Sequence, residues 1–571
     1  MPETTIENLI QNLPDADSAK RFLAELAERY PAERQRLERN AGLLADVLTL
    51  VSFSPLLATT LLQHKSYFAW LDRQRRAASV RSKEDLLESL ARFEMTHSTL
   101  EPNVMLSRFR RRELLRIYLQ DVRNLETIAE ITEEISNLAD AILEHALRLA
   151  RQELDNRYGP PLEADDKGRS AEARFCVVAL GKLGSLELNY ASDIDLLFLY
   201  SSEGNTSGTG SRGSVTNREY FVKLAEQIIK LVGQQTGEGA AYRVDMRLRP
   251  HGRVGALAIS VGEAVAYYLG AAKPWERQVL IRSRGCAGDV DLYRIFEERV
   301  ERRVYSNGGT IAEALRNVRQ SKDKINFEKR SNDGFNVKLG IGGIREIEFI
   351  AQALQLAYGG KDEWLRTPHT LISLSRIADR GLLTESEHTA LASAYTFLRR
   401  LEHRIQMEHG LQTHCVPNDP ERRTLIAKRM YFARLEDFDE SLEKHAEAAS
   451  RAFKRIFGID EDADPATEPA VGSEGTTIRL RTEAPLEPAL GAALSSLEKS
   501  GYDADAAARR KLAELASASP HFAGFVAANP GLIEILPNAA KEFSVHDYAA
   551  AFQSGVDAEP TFAGRLAQIR R

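Results

Sequence analysis

The chain runs to 571 residues, longer than one hydrophobic core usually serves, so three or four domains are expected. With 82 acidic against 76 basic side chains the net charge is −6, which argues against a protein that coats nucleic acid, because phosphate binding usually leaves a basic excess. No apolar run approaches the ~18 residues of a membrane span, Met1-Pro2-Glu3-Thr4 lacks the basic and apolar segments of a signal peptide, and Cys176, Cys286 and Cys415 have no metal-site spacing. A cytoplasmic protein with reduced, mostly buried thiols is expected.

Residues 5–153 read as helix almost throughout, with apolar positions at helical spacing such as Leu114, Leu115, Ile117, Tyr118 and Val122. The helix from about Ile131 to Asn156 stops at Tyr158-Gly159-Pro160-Pro161, and the polar stretch Glu163 to Ser170 reads as a loop. Phe175–Leu180 and Ile194–Tyr200 are continuous apolar runs of buried-strand length. Between them and the amphipathic helix Asn217–Val232 lies a Gly/Ser/Thr-rich segment, Ser201–Thr216, expected to be mobile. Tyr242–Leu248 reads as a third strand. From about Gly309 to Phe457 the chain is helical again, and Gly458–Thr477 is acidic and rich in Pro, Gly and Ala, as a linker is.

The expected domains are a helical region over 1–130, a catalytic domain over 131–305, a helical bundle over 306–457, a linker over 458–478 and a helical remainder over 479–571. The fold class is α+β, a mostly helical chain around one small mixed sheet. Ser54–Leu71 can be laid on Ser519–Leu536 without a gap, a faint repeat that two unrelated amphipathic helices after Ser-Pro starts would also produce.

The chemistry concentrates in Gly181-Lys182-Leu183-Gly184-Ser185 and Ser192-Asp193-Ile194-Asp195. Alternation along a strand puts Asp193 and Asp195 on one face. Two carboxylates that close repel each other and need a cation, and an oxygen-only donor set suits Mg²⁺. Asp245 adds a third carboxylate, so the trio Asp193, Asp195 and Asp245 is expected to be catalytic and to hold one or two metal ions. The Gly184-Ser185 turn could receive a phosphate, with close backbone approach at the glycine and donors from the hydroxyl and N–H groups. It is not a Walker A loop. Arg247 and Arg249, alternating with Asp245, are candidate phosphate clamps, or else they only neutralise the carboxylates.

Gly340–Gly343 before Ile344-Arg345-Glu346 is a candidate anion site at a helix start, and Arg345 with Glu348 has the spacing of an ordinary helix pair. His403 and His414 read as hydrogen-bonded packing residues. His546-Asp547 lacks the further His and Asp residues of a metal-dependent HD hydrolase, which argues against a PII uridylyltransferase.

Taken with Glu187-Leu188-Asn189, Val244-Asp245-Met246-Arg247-Leu248-Arg249-Pro250, Trp275-Glu276-Arg277, Gly342-Gly343-Ile344-Arg345-Glu346-Ile347-Glu348-Phe349, Leu398-Arg399-Arg400-Leu401-Glu402-His403-Arg404 and Gln412-Thr413-His414, these motifs closely resemble the family of bifunctional glutamine synthetase adenylyltransferase/adenylyl-removing enzymes. The resemblance runs from about residue 50 to 415 and implies a polymerase-β-like nucleotidyltransferase domain flanked by helical domains. In that family the N-terminal half removes AMP from a tyrosine of glutamine synthetase by phosphorolysis, releasing ADP, and the C-terminal half adds AMP from ATP. By order this chain corresponds to the removing half. The repeat offset of 465 carries Asp193 to 658, past Arg571, so a second copy would stop before its own carboxylates. The implied ligands are Mg²⁺, a nucleotide (ADP or ATP) and inorganic phosphate. The implied protein partner is glutamine synthetase, with a PII-type signal protein as a further candidate, and no nucleic acid or membrane. Adenylyl transfer from ATP and a non-catalytic regulatory scaffold are the alternatives.

Overall fold

The computed structural model describes residues 3–75, 80–164, 168–305, 334–458 and 509. The helix expected between 306 and 333, the linker after Gly458, the repeat partner Ser519–Leu536 and His546-Asp547 lie outside the described residues. One compact unit comprises Met1–Ala378 and Leu383–Glu468; a second comprises Asp379–Leu382 and Pro469–Arg571. Of the second, Asp379–Leu382 and Arg509 are the described residues.

In the first unit the helices that position the site are α1 (Pro102–Val122), α2 (Ile128–Tyr158), α3 (Asn217–Gly233), α4 (Ile344–Tyr358) and α5 (Glu385–His409). Local chemistry sets their ends. Thr127 and Glu130 form a capping box at the start of α2, and Gly159, at φ +72°, ends it. Thr216 caps α3 through the Glu219 N–H, and Thr384 with Glu387 boxes the start of α5.

The sheet is built from β1 (Phe175–Leu180), β2 (Ile194–Tyr200), β3 (Val244–Asp245), β4 (Ala258–Ser260) and β5 (Ser283–Gly288). β1 is central, antiparallel to β2 on one side and to β5 on the other. The far edge of β2 takes two parallel partners in succession, β3 against its first residues and β4 against its last. The continuous apolar runs arise because both faces are covered. Phe175, Val177, Ala179, Leu196 and Phe198 pack with α2 and α3, while Cys176, Val178, Leu180, Leu197 and Leu199 pack with Tyr268, Leu292 and Phe296. Cys176 and Cys286 are buried and Cys415 is partly so; none is in a disulfide.

Several expectations change. Glu163 and Ser170 belong to a short antiparallel ladder, Leu162–Ala164 against Ser170–Glu172, and not to an open loop. Ser201–Thr216 is tied down by backbone bonds: Ser207 N–H donates to the Pro160 carbonyl at 2.9 Å and Ser211 N–H to that of Asn156 at 3.1 Å. Only Val244–Asp245 of the expected third strand pairs, because the chain turns at Met246 through Pro250; Arg247 and Arg249 therefore do not alternate on a strand. Phe335–Asn336 pairs antiparallel with Cys415–Val416, a contact between distant segments that local periodicity does not carry.

Candidate active site

At the end of the sheet where β1 stops and β2 begins, Asp195 stands in register with Leu180 on one side and Asp245 on the other. In-register residues on neighbouring strands point to the same face, so the two carboxylates share the floor of a cleft of about 630 Å³. Asp193, two residues before Asp195, lies on its wall. Gly181 closes the other side: its φ is +59°, and a Cβ there would stand 3.0 Å from the Asp195 Oδ2.

The three carboxylates are not equivalent. Asp193 accepts from the Arg243 Nε at 2.5 Å, and Asp245 accepts from the Arg247 N–H at 2.9 Å and from its Nε at 2.8 Å. Burial raises Asp245, but these bonds outweigh it and hold the group below the usual carboxylate range. Asp195 has the reverse balance: burial above all, then Asp245 and Asp193, push it up to about 7, with Lys338 as the leading opposing charge.

Among the described residues no three acidic, imidazole or thiol groups are gathered into a ready-made metal cage, since Asp193 and Asp245 are turned to arginines. Asp193, Asp195 and Asp245 nevertheless line one cleft, the first and last paired with arginines. The donors still fit Mg²⁺, which takes one or two carboxylates and completes its shell with water and phosphate oxygens. A cation would also oppose the burial and the carboxylate repulsion that raise Asp195.

The Gly184-Ser185 turn faces away from the cleft. A Cβ on Gly184 would meet the Arg282 carbonyl at 2.2 Å, so this glycine serves close backbone packing. The Ser185 Oγ is buried and bonds to the Gly181 and Lys182 carbonyls and to the Glu187 carboxylate. Gly181 and Lys182 line the cleft instead. Arg249 is likewise withdrawn, its guanidinium donating to the carbonyls of Met246 (2.7 Å), Arg253 (3.2 Å) and Gly255 (3.0 Å). It holds the turn after Asp245. Arg247 does line the cleft, paired with Asp245.

The remaining wall comes from the helical segment that follows, with Lys338, Arg345, Glu348, Gln412 and His414. Buried polar bonds fix it to the sheet. Glu402 of α5 pairs with Lys182 at 3.2 Å and His414 at 2.9 Å, and accepts from the Asn189 Nδ2 at 2.5 Å. Against burial, the Lys182 charge, the His414 hydrogen bond and the Arg399 charge hold Glu402 well below the carboxylate range, while burial pushes the Lys182 ammonium down to about 7. Arg399 donates to the Asn189 Oδ1 at 2.5 Å. His403 bridges Asp121 of α1 and Asn189, a packing role as expected. The motif residues Lys182, Asn189 and Glu402 therefore dock one wall of the cleft on the other.

Residues 44–299 match the model of the family Glutamate-ammonia ligase adenylyltransferase. Over that span the chain is similar to this family. Residues 310–457 match a second model, GlnD PII-uridylyltransferase; the match covers the helical region and does not reach His546-Asp547. Among relatives named bifunctional glutamine synthetase adenylyltransferase/adenylyl-removing enzyme, that of Nitrosococcus oceani is 36% identical over 65% of this chain and 38% of its own length. The relative from Thioalkalivibrio sulfidiphilus is 32% identical over 83% of this chain and 47% of its own. That from Aromatoleum aromaticum is 38% identical over 62% and 36%. The chain spans less than half the length of these relatives. No described helix is long and apolar enough to cross a membrane.

Proposed function

We propose that this adenylyltransferase-family chain is a magnesium-dependent nucleotidyltransferase that removes AMP from the adenylylated tyrosine of glutamine synthetase by phosphorolysis. The observation that carries the reading is the in-register pair Asp195 and Asp245 on the floor of a cleft whose opposite wall is cationic. In the proposed step an oxygen of inorganic phosphate forms a bond to the adenylyl phosphorus as the bond from that phosphorus to the tyrosyl oxygen breaks. ADP leaves, and the tyrosyl oxygen takes up a proton.

Asp195 and Asp245 would hold Mg²⁺, with Asp193 joining if Arg243 releases it. When bound, the ion neutralises charge on the phosphoryl oxygens. The chain's own contribution is positioning: the docked walls fix the carboxylates opposite the cations, so little reorganisation is needed when charge develops. Leu248, Val279 and Trp275 give the cleft an apolar side suited to a base.

Asp195→Asn should abolish ADP formation from adenylylated glutamine synthetase while the protein stays folded. Full turnover in this variant would remove Asp195 from the mechanism, and loss of fold would assign it a structural role.

A further inference from the structure

Most cations around the cleft are already paired. Lys182 is held by Glu402, Arg247 by Asp245, and Arg282 by Glu348 at 3.0 Å. Because Arg282 takes Glu348, the helix pair between Arg345 and Glu348 does not form. Among the described residues, Lys338 and Arg345 make no ion pair and no side-chain hydrogen bond. Arg345 Nε is buried without a partner, and its guanidinium lies 5.7 Å from the Phe349 ring centroid. A buried guanidinium N–H without a partner is costly unless something outside the fold satisfies it.

The backbones that carry the two side chains are fixed relative to each other. Ile344 N–H donates to the Val337 carbonyl at 2.9 Å and Arg345 N–H to the Lys338 carbonyl at 3.1 Å, locking the first turn of α4 onto the segment carrying Lys338. The Asn336 side chain accepts from the N–H groups of Lys338 (3.0 Å) and Leu339 (2.8 Å), completing the turn. The glycine run supplies no anion nest of its own. Gly342 N–H is taken by Glu346 at 2.9 Å and Gly343 N–H by the Gly340 carbonyl at 2.9 Å. Positive charge here resides in side chains, and both line the same cleft as Asp195 and Asp245.

We propose that Lys338 and Arg345 form the receptor for the phosphate group bound next to the adenylyl phosphorus, a subsite that rests on the nucleotidyl-transfer reading above. Arginine and lysine suit that ligand, one as a two-pronged donor and the other as a point charge. In the removal direction the group is inorganic phosphate, which becomes the terminal phosphate of ADP. In the transfer direction the same place would hold the first phosphate of the leaving pyrophosphate. The shared ligand is an anionic phosphate group beside AMP.

The test is calorimetric titration of the full chain and its Lys338→Met and Arg345→Gln variants with AMP and ADP, followed by competition with inorganic phosphate. Either substitution should weaken ADP roughly tenfold or more while leaving AMP within about twofold, since AMP lacks the recognised group and reports an intact fold. Equal losses for both nucleotides, or unchanged ADP binding, would overturn the subsite. Wild-type chain that binds neither nucleotide would instead sink the nucleotidyl-transfer reading, and the subsite with it. Where the selective loss is seen, inorganic phosphate that displaces ADP from the wild type but not from the variants assigns the subsite to the attacking phosphate. Selective loss without such displacement assigns it to the polyphosphate of ATP.

Discussion

Gly181 stands against Asp195: its φ of +59° strains any other residue, and with 3.0 Å between a built Cβ and the Asp195 Oδ2 a side chain fits only if the carboxylate gives way. Gly181→Ala should cost about 1–2 kcal/mol of stability, because the left-handed conformation disfavours a Cβ. It should also lower turnover by roughly tenfold or more, since the carboxylate must shift to make room. Urea denaturation together with nucleotide-release kinetics checks both. Stability lost with turnover unchanged would separate the glycine from the chemistry.

Asp195 makes the metal-free protein sensitive to pH. Its folded pKa of about 7 lies above the unfolded value, so the native state binds the extra proton between roughly pH 4 and 7. The destabilisation from its ionised form is therefore absent at low pH and fully present above pH 7. Asp195→Asn should stabilise the metal-free chain by about 1–3 kcal/mol at pH 8, with the gain shrinking toward pH 5. Thermal melts of both proteins in a chelator across that range measure it. A gain that grew on acidification would contradict the assignment.

Lys182 and Glu402 join the two walls of the cleft at 3.2 Å with Glu402 fully buried. Glu402→Gln should destabilise by about 3–5 kcal/mol, because it leaves the buried Arg399 and the largely buried Lys182 without their carboxylate. The double change with Lys182→Met should cost less than the sum of the single changes, with a coupling of about 1–3 kcal/mol. Denaturant midpoints of the four proteins give this coupling directly, and strict additivity would show that the pair does not act as a unit.

Arg247 and Arg249 should respond oppositely. The Arg247 side chain is 64% exposed, so Arg247→Ala should change stability by no more than about 0.5 kcal/mol and act on substrate binding. Arg249 is buried among three carbonyls, and Arg249→Ala should cost about 1–3 kcal/mol by leaving them unpaired. A stability-neutral Arg249→Ala that raises the Michaelis constant for phosphate would restore it as a clamp.

What the sequence discloses follows from how locally each feature is encoded. β1 and β2 are legible because burial on both faces leaves unbroken apolar runs, and Asp193-Ile194-Asp195 is legible because it interrupts one of them. β3 is overextended in the reading because a strand's end depends on pairing, and only Val244 and Asp245 find partners on β2. Gly184 and Ser185 are misread because a Gly-Ser turn looks the same whether it faces a phosphate or the Arg282 backbone. Lys338 is missed for a related reason: it stands more than 140 residues after Asp195, and only the tertiary fold brings it to the cleft. The signal that was available is the Arg345 motif, where a Gly-Gly turn precedes an arginine in the first turn of a helix.

The direction of reaction is the central claim, and one measurement addresses it. Purified chain is incubated with adenylylated glutamine synthetase while inorganic phosphate is varied, and the released nucleotide is identified by chromatography. ADP formed in proportion to protein deadenylylated, saturating with phosphate and lost in Asp195→Asn, is the predicted result. Labelling of glutamine synthetase from ATP with no phosphate-dependent ADP would contradict the removal assignment.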